Sequence, residues 1–113
     1  MPQRRYESLI STSAASGSAI FYARDQTRFS LSMATSGDAV LKYKILLYPT
    51  DQTPDGSPVV YSDKTTGQSA AAVGISDNLT DSDGVPFVFY KLKVEWSELA
   101  TSNGGFGADI ACY

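Results

Sequence analysis

The stretch Phe87–Trp96, FVFYKLKVEW, constrains the possible folds of this chain more than any other. It runs ten residues without a glycine or proline and is rich in aromatic and β-branched side chains, which suit a pleated, half-buried surface. Its residues alternate. Val88, Tyr90, Leu92, Val94 and Trp96 share one parity; Phe87, Phe89, Lys91, Lys93 and Glu95 share the other. A period of two over this length predicts a central strand of an antiparallel sheet. The Val88–Trp96 face should point to the core and the lysine-bearing face to solvent.

The same period recurs along the chain. Ser18–Ala23 reads as a first strand and Arg28–Ala34 as a second, joined through Arg24–Thr27 as a plausible hairpin. Ala39–Tyr48 is another strong strand, with Leu41, Tyr43, Ile45 and Leu47 on one face and Lys42 and Lys44 opposite. Val59–Ser62, Ser69–Ser76 and Phe106–Tyr113 complete the set. Turn residues separate the runs: Thr35–Asp38, the proline-bearing Pro49–Pro58, Asp63–Gln68, Asp77–Pro86 and the Asn103-Gly104-Gly105 reversal. Seven or eight short strands at this spacing, with no useful helical period, predict an all-β fold. We expect a single-domain antiparallel β-sandwich or jelly-roll-like domain over residues 18–113.

Residues 1–17 have a different texture. MPQRRYESLI carries only a small apolar patch of Tyr6, Leu9 and Ile10, and STSAASGS follows. This segment is expected to be an extended N-terminal arm, with those three residues docking on a neighbouring subunit. Removing residues 1–16 is then expected to abolish assembly and leave folding intact. The N-terminus lacks the apolar core of a secretory signal, so the chain is expected to be made in the cytoplasm of its host and not secreted. No run approaches the length of a transmembrane helix.

Composition narrows the chemistry. The 113 residues include no His and a single Cys, so a Ser–His–Asp or Cys–His arrangement and a His/Cys zinc site are excluded. An intramolecular disulfide is impossible, and Cys112 is expected to be a buried thiol. No nucleotide-binding or nucleophile-elbow motif occurs. Most acids sit at turns, where Asp forms turns before it catalyses. The chain is therefore expected not to be an enzyme and to use no cofactor or metal. The loop Asp77–Gly84, DNLTDSDG, gathers three carboxylates ahead of a glycine but places Leu79 where a calcium loop needs a donor; a solvated acidic turn is expected. Net charge is −3, which gives no global pull toward nucleic acid. If the strands bearing Lys42, Lys44, Lys91 and Lys93 were neighbours, those four would form a local basic patch able to contact phosphates. Aromatic residues expected on the wet faces, Tyr48, Phe87, Phe89 and Tyr113, exceed what a monomer needs and point to a partner.

With its Ser/Ala/Thr/Gly-rich arm leading into FYARDQTRFSLSM, then KYKILLYPT, FYKLKVEW and the ending GGFGADIACY, the chain resembles small virion proteins of tailed bacteriophages. Many capsid decoration or cement proteins and small head or tail accessory proteins look like this. The resemblance implies a β-rich homo-oligomer in the virion that stabilises the shell by bridging copies of a major capsid protein. Interface residues are expected at Tyr6, Leu9 and Ile10, then Tyr48, Phe87 and Phe89. Two alternatives stand beside it. One is a carbohydrate-binding sandwich module using Tyr61 or Trp96 as a stacking platform. The other is an RNA-binding phage coat protein, although such coat proteins end in helices and this chain ends in a glycine-rich, strand-like segment.

Overall fold

A computed structural model describes residues 5–52 and 57–112. They contain eight strands and no helix: β1 (Arg5–Thr12), β2 (Gly17–Tyr22), β3 (Phe29–Thr35), β4 (Val40–Tyr48), β5 (Val59–Asp63), β6 (Gly74–Asn78), β7 (Lys91–Ala100) and β8 (Phe106–Cys112). All pairings are antiparallel, in two four-stranded sheets of order β1-β8-β3-β6 and β2-β7-β4-β5. The expected all-β sandwich is therefore present, and this strand order is that of an eight-stranded jelly roll.

Local alternation explains which residues fill the space between the sheets. Phe29, Leu31 and Met33 of β3 meet Cys112, Ile110 and Ala108 of β8 in register. From the other sheet, Leu92 and Val94 of β7 lie beside Leu47 and Ile45 of β4. All of these are buried, and Leu31, Ile45, Leu92, Val94, Ile110 and Cys112 have no exposed surface. The thiol expected to be buried is so, and burial raises the Cys112 pKa above its ordinary value.

The N-terminal segment departs from expectation. Residues 5–12 form β1, an edge strand paired with β8, and not an arm. A register shift between Ser8 and Ile10 inserts one extra residue, Leu9, so that Ile10 turns inward to 5% exposure and Leu9 packs against the core. The small apolar patch thus belongs to the fold. Tyr6 alone stays outside, on the outer face of its sheet. Arg5 ties the two sheets together: its guanidinium lies 4.7 Å from the Phe21 ring centroid and donates to Tyr22 O at 2.7 Å.

The expected β2–β3 hairpin is also absent, because the two strands lie in different sheets. Both segments have the alternation of a strand, and alternation is silent about the partner. Among the described strands, only β4 and β5 are consecutive in sequence and paired to each other. Every other described connection crosses from one sheet to the other, as the Greek-key winding of a jelly roll requires.

One end of the sandwich is pinned by side-chain hydrogen bonds between the β3–β4 and β7–β8 turns. The Asp38 carboxylate accepts from Thr101 Oγ1 and Ser102 N, each at 2.8 Å, and from Ser102 Oγ. Asp38 N in turn donates to Asn103 Oδ1 at 3.0 Å. These donors, the Ser102 hydroxyl foremost, hold the Asp38 pKa well below the usual carboxylate range.

Candidate interaction face

The ten-residue stretch Phe87–Trp96 divides into two parts. Lys91–Trp96 lie in β7, while residues 87–90 precede the strand. Within β7 the expected parity holds: Leu92 and Val94 are buried, and Trp96 packs half-buried at the end of the core. Before it the parity is reversed. Phe89 is buried at 5% exposure with its ring centroid 4.3 Å from that of Phe29. Phe87 packs edge-on to Tyr61. Val88, assigned to the core, is 73% exposed, and Tyr90 is exposed too. A bend at Tyr90 slips the alternation by one residue, and a one-residue slip exchanges the two faces. The physical demand behind it is the open end of the sandwich, which Phe87, Phe89 and the fully buried Leu79 close.

Tyr48, expected as an exposed aromatic, is 2% exposed. It lies on the outer face of β4, opposite Lys91, whose Nζ sits 4.6 Å from the ring centroid. Of the six residues expected at an interface, Leu9, Ile10, Tyr48, Phe87 and Phe89 are wholly or partly used by the fold, and Tyr6 remains free of the core. Tyr113 and part of the Pro49–Pro58 loop lie outside the described residues.

The four lysines do come together. β4 and β7 are neighbours, and Lys42, Lys44, Lys91 and Lys93 all project from the outer face of the β2-β7-β4-β5 sheet. That face is not a basic patch, however. Lys42 Nζ makes a 2.9 Å ion pair with Glu98, Lys44 lies 4.0 Å from Asp63, and Glu95 stands opposite Lys44 in register. The Asp63 pKa is lowered, first by the Thr65 hydroxyl and then by Thr65 N, so it stays charged beside Lys44. Acidic and basic groups alternate across this surface.

Register resolves the face into rows crossing the strands. One row is Tyr22–Lys91–Tyr48. The next is Ile20–Lys93–Leu46–Val60, and after it comes Ser18–Glu95–Lys44–Asp63. The middle row is apolar apart from one lysine, whose stem can lie along it. Ile20 is 43% and Val60 54% exposed. Sequence reasoning missed Ile20, Tyr22 and Val60. In SAIFYA both parities are apolar or aromatic, and Val59-Val60 offers no polar neighbour, so nothing marked which side chain would face out.

The remaining candidates resolve into structure. In the acidic loop, Asp81 Oδ1 accepts from Asp83 N at 2.9 Å and Val85 N at 3.0 Å, so this carboxylate caps its own turn. Among the described residues no cluster of three metal-ligating side chains occurs. Trp96 Nε1 donates to Ala14 O at 3.1 Å, and the ring lies against Gly17, where a Cβ would sit 2.6 Å from it. Tyr61 is partly buried and packed on the core, and burial, with the charge of Asp77, raises its pKa. Both rings are thus partly taken up by contacts within the chain. Among the described residues no helix is long and apolar enough to cross a membrane. Comparisons with protein-family models, curated proteins and solved structures find no match.

Proposed function

We propose that this chain is a structural virion protein that decorates or cements a capsid shell, works as a homo-oligomer and contacts a major capsid protein. The observation that carries the reading is the outer face of the β2-β7-β4-β5 sheet. A small jelly roll places exposed Ile20, Tyr22 and Val60 together on one sheet face, with Val88 and Tyr90 exposed on the segment leading into β7. Apolar surface gathered in this way marks a protein-binding surface. Viral capsid domains are among the uses of the jelly-roll architecture, which adds support by analogy. The carbohydrate reading is weakened by the packing of Trp96 and Tyr61. The RNA reading is weakened by the carboxylates set among the lysines.

The test is co-sedimentation of the purified chain with shells of the virus that encodes it, prepared without the chain. Saturable binding and a higher shell disruption temperature are expected. Failure to bind those shells, with retention on immobilised glycan or single-stranded RNA, would overturn the proposal.

A further inference from the structure

We infer that the outer face of the β2-β7-β4-β5 sheet pairs with the same face of a second copy, about a two-fold axis that runs along the strands between β7 and β4. This deepens the virion reading by naming the surface of self-contact, and it rests on that reading for its purpose.

The face is self-complementary about such an axis. An axis in that position lays β7 of one copy over β4 of the other, and β2 over β5. Row by row, Ile20 then meets Val60 of the second copy. Lys93 lies over Leu46, which its own chain already buries to 7% exposure, Glu95 meets Lys44, and Ser18 meets Asp63. These matches follow from the register, because each row lists its members in strand order from β2 to β5. Exposed Ile20 and Val60 fall on each other, as do the opposite charges of Glu95 and Lys44, twice over by symmetry. An isologous contact requires this property.

Charges within the chain leave room for the contact. Glu95 and Lys44 face each other across the strands, yet no ion pair joins them, and Lys44 leans toward Asp63 at the long distance of 4.0 Å. Two Glu95–Lys44 pairs across the axis would use these groups. Size sets the expected strength. Four strands about 4.8 Å apart and about seven residues long give a footprint of roughly 500 Å² per copy, below the roughly 800 Å² per partner of a standard interface. The dimer should therefore be modest and concentration-dependent. Other surfaces carry less: the outer face of the β1-β8-β3-β6 sheet offers mainly small polar side chains around Tyr6, and the cavity of about 230 Å³ lined by Arg28, Asn78 and Leu79 has Arg28 as its one charged lining residue.

The experiment is sedimentation equilibrium of the full chain across a concentration series, with circular dichroism to confirm folding of each variant. A monomer–dimer equilibrium is expected. Glu95→Lys and Lys44→Glu should each weaken it roughly ten-fold or more through like-charge contact, and the double variant should recover most of the loss. Val60→Lys, at an exposed position that leaves the core untouched, should weaken it as well. A monomer at all concentrations, or a dimer indifferent to Glu95→Lys and Val60→Lys, overturns the inference. Shell binding is measured separately. A dimer that behaves as described but ignores shells removes the virion reading alone, and a monomer that binds shells removes this inference alone.

Discussion

Two glycine-to-alanine substitutions should move stability in opposite directions, and the structure says by how much. Gly104 lies in the β7–β8 turn, against the β3–β4 turn. A Cβ built there would sit 1.9 Å from Ser36 O and 2.5 Å from the Ser36 carbonyl carbon. Carbon–oxygen contact begins near about 3.3 Å, so the turns must separate by roughly 1.4 Å. Both atoms in the way are backbone, and no rotamer change relieves them. The separation strains the bonds that join the turns, Ser36 N to Gly105 O at 2.9 Å and Gly105 N to Ser36 Oγ at 3.0 Å. Overpacking costs about 1–3 kcal/mol and each hydrogen bond about 1 kcal/mol. Gly104→Ala should therefore lose about 3 kcal/mol, or roughly 12 °C in Tm for a domain of this size. A Cβ at Gly74, in β6, would have nothing within 4 Å. Gly74→Ala should gain about 0.4–1 kcal/mol by restricting the unfolded chain. Urea unfolding followed by Trp96 fluorescence, with thermal melts, measures both. Equal midpoints for the two variants would refute the close approach of the turns on which the reasoning depends.

Two further outcomes follow from the fold. Removing residues 1–12 deletes β1 and with it the buried Ile10, so cooperative unfolding and near-ultraviolet dichroism should be lost; a truncated chain that melts like the full one would return the segment to the status of an arm. Asp38 and Asp63 have folded pKa values below their ordinary 3.8, so the unfolded chain binds more protons as pH falls. Their contribution is complete above about pH 5 and disappears as pH drops through the folded values. The urea midpoint should thus fall below about pH 4, and Asp38→Asn should differ from the parent chain at pH 6 more than at pH 3; a constant difference would count against the Asp38 tie.

Much of the fold was legible because alternation is a local property. β3, β4, β5 and β8 can be read from the sequence to within a residue or two, since β3, β8 and most of β4 alternate apolar with polar or small side chains and all four end at a turn signal or the chain's last residues. The interaction face was legible only in part. Lys42, Lys44, Lys91 and Lys93 were correctly placed on wet faces, but the carboxylates that partner or oppose them come from Asp63, Glu95 and Glu98 on neighbouring strands or past a bulge. The phenylalanines 87 and 89 misled because their parity matched the lysines, and a bend at Tyr90 breaks that parity.

By itself the sequence determined the all-β class, the buried thiol and the absence of histidine chemistry, since these depend on composition and on a period of two. Tertiary structure decided everything that depends on distant residues meeting. It drew Arg5–Thr12 into a sheet, because β8 offered an unpaired edge and the core a place for Ile10. It separated β2 from β3. It turned Phe87 and Phe89 inward to close the sandwich, and left Ile20 and Val60 exposed in one row. A strand carries two faces in its sequence, and only the pairing and packing of the whole chain choose which of them meets water.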